Sequence, residues 1–163
     1  MFKFLTLKEE AFGLDINDLS LKIVKLKKRR RGFVLTSFNE KKIASGIIED
    51  GVIKNELALV KIIKSAYDAV EGKKIKKNYV TASLPEEKSF LQVIQMPKMS
   101  KEELMLAVPL EAENYIPMPI NEVYLDFQVI SPIKDKDYLN NLEVLIVAMP
   151  RKIVDSYISC FKK

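Results

Sequence analysis

Residues 12–26 read Phe12-Gly13-Leu14-Asp15-Ile16-Asn17-Asp18-Leu19-Ser20-Leu21-Lys22-Ile23-Val24-Lys25-Leu26 and set the architecture of the first part of the chain. Their apolar residues predict two short strands, which carry Gly13, Leu14 and Ile16 and then Leu19, Leu21, Ile23 and Val24. Asn17 and Asp18 predict a tight turn between these strands, because Asn and Asp side chains form hydrogen bonds with the nearby backbone. Asp15 then faces the Ser20 hydroxyl and the Lys22 side chain across that turn.

The composition indicates a folded protein that does not use histidine chemistry. A length of 163 residues fits one domain or two small lobes that share a surface. Apolar residues make up 48% of the chain and charged residues 30%, which excludes disorder over most of its length. The sequence contains no His, so His-based acid–base catalysis and the common zinc sites are excluded. Cys160 is the single cysteine, so no disulfide can form within the chain.

Positive charge is concentrated in one run near the first strands. The basic side chains there are Lys22, Lys25, Lys27, Lys28, Arg29, Arg30 and Arg31. One interpretation is a solvated hairpin end. The other is a foothold on anionic lipid, where each basic residue contributes about 1 kcal/mol, or on nucleic acid. No aromatic residue interrupts the run, so base stacking is unsupported. A second basic patch contains Lys73, Lys74, Lys76 and Lys77, and we interpret it as a solvated linker.

The remaining periodicities predict an α+β (mixed α/β) chain of two lobes that divide near residues 73–83. Further strands are predicted over residues 32–38, 79–84, 90–96, 123–130 and 142–149. A first helix is expected to begin at its cap Asn55 and to end at Gly72. A second is capped by Ser100 and Glu103, contains Pro109 and ends near residue 116. Pro150 is expected to open the last helix.

Several short motifs occur in a fixed order along the chain. They are Gly46-Ile-Ile-Glu-Asp-Gly-Val-Ile53, Ser83-Leu-Pro-Glu86, Phe90-Leu-Gln-Val-Ile-Gln-Met-Pro-Lys-Met-Ser100, Glu102-Glu-Leu104, Glu111-Ala-Glu-Asn-Tyr-Ile-Pro-Met-Pro119, Glu122-Val-Tyr-Leu-Asp126 and Val147-Ala-Met-Pro150. In this order and spacing, the chain resembles the family of the type IV pilus assembly protein PilM, a relative of the cell-division protein FtsA. The resemblance covers essentially the whole chain.

The resemblance implies the N-terminal part of an actin-like, FtsA-like ATPase fold. Residues 1–80 would form the N-terminal half of subdomain 1A, and residues 81–163 would form the inserted subdomain 1C. The rest of 1A, together with 2A and 2B, is then absent from this chain. These assignments are expectations from the family, not from periodicity.

The resemblance also implies a first phosphate loop for ATP and Mg²⁺. That loop usually reads Asp-Ile-Gly-Ser-Ser-Ser-Ile-Lys in this branch, and Asn17 and Asp18 stand here in place of the Gly and a Ser. By the family pattern Asp15 would hold Mg²⁺ through water, and Asn17, Asp18, Ser20 and Lys22 would meet the phosphates. The residues alone also allow a simple β-turn held by Asx and Ser hydrogen bonds. With one loop and an added negative charge, we expect this chain alone neither to bind ATP tightly nor to act as an ATPase.

The function implied by the resemblance is that of an adaptor in type IV pilus biogenesis and twitching motility. Family members lie on the cytoplasmic face of the inner membrane, where they capture the N-terminal tail of PilN between subdomains 1A and 1C and meet other pilus inner-membrane proteins. The expected partner residues are Ile116 and Met118, in a segment that alternatively is only a rigid helix stop. Anionic lipid would face Lys27, Lys28, Arg29, Arg30 and Arg31. The alternatives are an actin-like ATPase and, on net charge alone, a nucleic-acid binder, which we do not favour.

Overall fold

The computed structural model describes residues 11–76, 79–132 and 141–163, which form two compact units. The first unit comprises Met1–Pro85 and Ser156–Lys163, and the second comprises Glu86–Asp155. The predicted mixed α/β class is confirmed, since both units contain helices and strands. The predicted second lobe, residues 81–163, differs from this division because its last residues belong to the first unit.

A five-stranded sheet forms the centre of the first unit. Its strands are β1 (Phe12–Ile16), β2 (Ser20–Arg29), β3 (Gly32–Lys42), β6 (Glu71–Gly72) and β7 (Val80–Ala82). Their order is β6-β3-β2-β1-β7, and β7 lies parallel to β1 while the other pairs are antiparallel. The strand predicted over residues 32–38 is longer than expected. It continues to Lys42 because it pairs with β2 over the whole length of that strand.

One face of this sheet is buried and the other is exposed. Leu14, Ile16, Leu21 and Ile23 are at most 4% exposed. They alternate with outward residues as the period of two in a strand requires. The two-stranded hairpin of β4 (Ile48–Glu49) and β5 (Val52–Ile53) turns at Asp50 and Gly51, as the sequence predicted.

Helix α1 (Glu56–Asp68) begins where the sequence predicted and ends earlier. The Asn55 Oδ1 atom accepts a hydrogen bond of 3.0 Å from the Ala58 amide, which confirms the predicted cap. The helix buries Leu59, Val60 and Ala66. The prediction that Gly72 ends this helix is wrong. The helix ends at Asp68, and Gly72 lies in β6, where it pairs with Ser37 of β3.

At Gly72 the backbone of β6 approaches the backbone of β3 so closely that only glycine fits. Gly72 has a φ of +87°, and a Cβ placed on it would lie 2.4 Å from the Thr36 carbonyl oxygen. The next amide, that of Lys73, donates a hydrogen bond of 2.9 Å to the same oxygen. The chain therefore passes directly against β3 at this point.

The second unit packs one helix on a three-stranded antiparallel sheet. Its strands, in the order β8-β10-β9, are β8 (Phe90–Pro97), β10 (Asn141–Pro150) and β9 (Val123–Pro132). The helix is α2 (Lys101–Ala112), and its Leu104, Val108 and Ala112 lie in a core with Ile94, Val144 and Ile146. The strands predicted over residues 90–96, 123–130 and 142–149 are confirmed to within a few residues.

The predicted capping box of α2 is present. The Ser100 hydroxyl accepts from the Glu103 amide at 3.2 Å, and the Glu103 carboxylate accepts from the Ser100 amide at 2.7 Å. These hydrogen bonds hold the pKa of the Glu103 carboxyl below its usual range. Pro109 lies inside the helix, which continues to Ala112. A proline has no amide hydrogen to donate, so α2 carries one backbone hydrogen bond fewer there.

Helix α3 (Arg151–Phe161) follows β10 directly, so Pro150 ends a strand and the helix begins one residue later than predicted. Residues of its second half belong to the first unit. The Tyr157 hydroxyl donates to the Gly51 carbonyl at 3.1 Å, and the Ser159 hydroxyl donates to Glu56 at 2.6 Å. These contacts explain why the first unit includes residues 156–163.

An ion pair reinforces the contact between α3 and α1. The Lys163 ammonium lies 2.7 Å from the Glu56 carboxylate and, with Ser159, holds the pKa of that carboxyl below its usual value. Because this pKa is lower in the folded chain than in the unfolded chain, the ionised Glu56 carboxylate stabilises the fold at pH values above its unfolded-state pKa. This stabilisation is lost as the pH falls through the pKa that Glu56 has in the folded chain. Beside it, burial raises the pKa of the Cys160 thiol to about 11.

We expect Gly72→Ala to destabilise the first unit strongly. Gly46→Ala is the matched control, because Gly46 has a similar φ of +85° and no neighbouring atom within 4 Å of the position that a Cβ would occupy. The positive φ alone should cost about 1–2 kcal/mol in both variants. The collision with Thr36 should add about 1–3 kcal/mol in Gly72→Ala only. Urea unfolding followed by circular dichroism measures both, and equal losses would contradict the close approach.

Candidate functional site

The turn between β1 and β2 is closed by the side chain of Asn17. Its Oδ1 atom accepts hydrogen bonds of 2.9 Å from the Leu19 amide and 2.9 Å from the Ser20 amide. The Asn17 amide in turn donates to the Ser20 carbonyl at 3.0 Å. The Ser20 hydroxyl lies 3.2 Å from the Asn17 Nδ2 atom. The turn therefore has the Asx and Ser hydrogen bonds that were the alternative to a phosphate loop.

Asp18 reaches away from this turn and caps the neighbouring β4–β5 hairpin. Its carboxylate oxygens accept from the Asp50 amide at 2.7 Å and from the Gly51 amide at 3.0 Å. Asp50 has a φ of 48°, an unusual conformation for a residue other than glycine. Charge-assisted hydrogen bonds to both amides stabilise this turn. The sequence motif at residues 46–53 and the polar turn at residues 17–18 are thus parts of one structure.

Asp15 and Lys22 lie next to each other on the exposed face of the sheet. Asp15 is paired in register with Lys22, which is itself paired with Glu40 on the next strand. The Asp15 Oδ1 atom accepts a 2.7 Å hydrogen bond from the Ser83 hydroxyl. That hydroxyl also accepts from the Ile16 amide at 3.3 Å. The five predicted phosphate-loop residues therefore flank one turn, but Asp18 reaches away from the other four. Ser83, which follows β7, contacts Asp15, and the motif at residues 83–86 did not indicate this contact.

This arrangement does not fit the phosphates of ATP. A phosphate-binding loop offers backbone amides to the ligand, whereas the amides of Asn17, Leu19 and Ser20 already donate within the turn. The carboxylate of Asp18 adds negative charge near the turn, which disfavours a phosphate there. The geometry supports the β-turn interpretation of residues 15–20.

The basic run lies at the end of the β2–β3 hairpin. Lys27, Lys28 and Arg29 end β2, Arg30 and Arg31 form the turn, and all five are exposed. The outward face of the hairpin is apolar beside these charges. Its exposed side chains are Val24, Leu26, Phe33, Leu35 and Phe38. They share one face because Val24 pairs with Phe38, Leu26 with Leu35 and Lys28 with Phe33.

A second apolar surface lies on α2. Leu106 is 75% exposed and Leu110 is 71% exposed, although both lie on a helix whose opposite face is in the core. Together with Met99, Ala107 and Glu103 they line a groove of about 390 Å³. The sequence signal for this surface is that residues 104–110 are all apolar, since a helix with a solvated outer face is normally polar there.

The predicted partner segment after α2 is less accessible than expected. Ile116 is only 6% exposed and packs in the core of the second unit, so it is not available to a partner. Met118 is half-buried against the same core and lines a shallow depression with Pro119, Ile120 and Asn121. The chain turns inward here because apolar side chains after the helix complete the core. The rigid-stop interpretation fits Ile116 better.

Comparison with known proteins places the chain in one family. The model of the family described as type IV pilus assembly protein PilM matches residues 13–163. A solved PilM-PilN type IV pilus biogenesis complex contains a chain that is 29% identical with a TM-score of 0.82, over 95% of this chain and 44% of that one. This chain therefore spans less than half the length of that relative. No curated protein matches it.

A more distant likeness concerns the fold alone. The cytoplasmic domain of EpsL, an inner-membrane component of the type II secretion system of Vibrio cholerae, has a TM-score of 0.52 at 15% identity. The match covers 94% of this chain and 52% of that domain. In the described parts of the present chain, every helix is too short or too polar to cross a membrane.

We expect Asp18→Ala to destabilise the chain by about 1–3 kcal/mol, because the Asp50 and Gly51 amides lose their charged acceptor. Asp15→Ala serves as the control, since it removes the same type of side chain nearby and one hydroxyl contact. Its loss should stay below about 1 kcal/mol. Chemical unfolding of both variants is the measurement. An Asp18 variant as stable as the parent chain would show that its carboxylate does not support the hairpin.

Proposed function

We propose a function from the premise that the chain belongs to the family of the type IV pilus assembly protein PilM, whose model matches residues 13–163. It acts as a cytoplasmic adaptor that binds the N-terminal tail of the inner-membrane protein PilN. The similarity of nearly the whole chain to one chain of a PilM-PilN complex carries this proposal. Because that relative is more than twice as long, the proposal concerns the part of the adaptor that these residues form.

The groove on α2 is the proposed contact for the PilN tail. Leu106 and Leu110 are one helical turn apart, so they present one continuous apolar ridge. Met105 is also 60% exposed, and clusters of exposed apolar side chains mark interaction sites. A groove of this size suits a few apolar side chains of a short segment, and Met99 and Met105 can adapt to their shape. The opposite side of α2 stays in the core and keeps the ridge rigid.

The β2–β3 hairpin end is the proposed contact with the inner membrane. It combines the five basic side chains of residues 27–31 with exposed Leu26, Phe33 and Leu35. Cations attract anionic headgroups, and apolar side chains gain free energy at the acyl boundary. This combination favours a membrane over nucleic acid, which would use the charges and Phe33 but not the exposed leucines. The chain is then peripheral to the membrane that holds PilN and other pilus proteins.

The adaptor proposal predicts saturable binding of a labelled peptide that copies the N-terminal tail of PilN. Fluorescence anisotropy is the measurement, with the label on the peptide because the chain has no Trp. Leu106→Glu should weaken binding more than about tenfold, since a carboxylate would enter the apolar groove. Leu57→Glu is the matched control, because Leu57 is 70% exposed on α1.

Three outcomes of this titration separate the parts of the proposal. Loss of affinity in the Leu106 variant alone supports the α2 groove. Equal affinity in both variants means that the peptide binds elsewhere while the adaptor function stands. A folded parent chain that binds no peptide contradicts the adaptor function for these residues.

We also propose that the partner contact does not depend on nucleotide in this chain. Isothermal titration with Mg²⁺-ATP should show no saturable binding in the micromolar range, because the amides of Asn17, Leu19 and Ser20 already donate within the turn and Asp18 repels a polyanion. Binding that disappears in Asp15→Ala would contradict this and would restore the phosphate-loop interpretation. An intact circular dichroism spectrum of the variant is the control.

A further inference from the structure

Two groups of lysines that are distant in sequence line one depression on the first unit. Lys25 and Lys27 come from β2, and Lys73, Lys74 and Lys76 come from the segment after β6. Thr36 and Ser37 of β3 lie between them, and the depression has a volume of about 480 Å³. We call these seven residues the lysine cradle. Lys77, which belongs to the second basic patch of the sequence, lies outside the described residues.

The lysines of the second group are exposed, as the solvated-linker interpretation expected, but the backbone of their segment is held firmly. Gly72 packs directly on Thr36, and the Lys73 amide donates to the Thr36 carbonyl at 2.9 Å. The Tyr67 hydroxyl donates to the Ile75 carbonyl at 2.9 Å, and the Ile75 side chain is 7% exposed. The backbone positions of the lysines on both sides of Ile75 are therefore set by the fold.

Two hydroxyl groups connect this segment and β2 to the floor of the cradle. The Ser37 hydroxyl donates to the Lys73 carbonyl, and the Ser37 side chain is 1% exposed. The Thr36 hydroxyl donates to the Lys25 carbonyl at 3.0 Å. The long lysine side chains can still adjust their ammonium groups. The fixed backbone keeps the lysines together, and their mobile ammonium groups can adjust to the shape of an anion. A turn that contacts only solvent would not need its backbone fixed in this way.

Charge makes the arrangement unusual. The cradle contains five lysines, and none of the described residues that line it is acidic. Lys27, Lys73, Lys74 and Lys76 repel one another when they are brought to one concave surface. Close backbone packing, which required glycine at residue 72, is what brings them together. A ligand with more than one negative charge would relieve this repulsion.

We propose that the lysine cradle binds the phosphates of an anionic lipid headgroup, with two phosphates as in cardiolipin as the preferred class. The inference rests on the membrane contact proposed above and adds a defined headgroup site to it. Lys27 of the cradle is paired with Val34, which is 48% exposed and lies on the same face of the hairpin as Lys27. A lipid surface accommodates both the phosphates and this apolar neighbour. Nucleic acid would find no aromatic side chain among the described residues of the cradle for base stacking.

The test is flotation of the full chain with vesicles of phosphatidylcholine alone, with phosphatidylglycerol, and with cardiolipin at matched phosphate charge. The cradle variant carries Lys73→Gln, Lys74→Gln and Lys76→Gln. The control variant carries Arg29→Gln, Arg30→Gln and Arg31→Gln and loses the same charge at the hairpin tip. Thermal unfolding checks that both variants fold, which their exposed positions predict.

The parent chain should bind cardiolipin vesicles at least about fivefold more tightly than matched phosphatidylglycerol vesicles. The cradle variant should lose this preference, whereas the tip variant should bind both lipids more weakly in the same proportion. A cradle variant that keeps the preference overturns the headgroup site and leaves the membrane contact standing. A parent chain that binds no anionic vesicle overturns the membrane contact itself.

Two further arms distinguish other sources of the same phosphate chemistry. Inorganic pyrophosphate is titrated into the parent chain and the cradle variant. Saturation that is lost in the variant, without vesicle binding, would assign the cradle to a free phosphate anion and overturn the lipid. A DNA duplex is tested in the same way, and cradle-dependent retention of DNA that exceeds vesicle binding would also overturn it.

Discussion

One-sided burial of the β1–β2–β3 sheet is the constraint on which the first unit depends. Leu21 and Ile23 are fully buried on the inner face, while Val24 and Leu26 of the same strand are exposed on the outer face. A strand cannot change this division without a shift that moves every side chain to the other face. Burial of the inner-face side chains stabilises the folded sheet. The apolar side chains of the outer face have no role in that core, so they point to an interaction with another molecule.

Much of the fold could be predicted from local patterns. Asn55 and the Ser100–Glu103 box are caps whose chemistry is contained within four residues, and both are present. Gly72 was misjudged for a reason that local patterns cannot show. Glycine after a helical stripe is typical of a helix end, but here it is required by the carbonyl of Thr36, which lies far away in sequence. Ile116 was misjudged similarly, because a Pro-rich segment that looks exposed completes a core.

The candidate site shows the same limit more sharply. Asp15, Asn17, Asp18, Ser20 and Lys22 flank one turn, as their spacing in the sequence indicates. The sequence did not show where their hydrogen bonds go. Asp18 accepts hydrogen bonds from the amides of Asp50 and Gly51, and Asp15 accepts one from the Ser83 hydroxyl. Each partner lies more than 30 positions away in sequence. Residue types that suit a phosphate also suit a turn, and only the tertiary contacts separate the two. The lysine cradle was missed because its halves are distant in sequence.

The return of residues 156–163 to the first unit makes the second unit an insertion within it. The Tyr157–Gly51 and Ser159–Glu56 hydrogen bonds each join residues more than 100 positions apart. During synthesis on the ribosome the first unit consequently cannot close until the whole second unit has emerged. Contacts with such long loops form slowly, since chain entropy opposes them. The second unit is one continuous stretch of sequence, so it is free to fold first. Its folding shortens the effective loop between residue 85 and residue 156, which the first unit has to close.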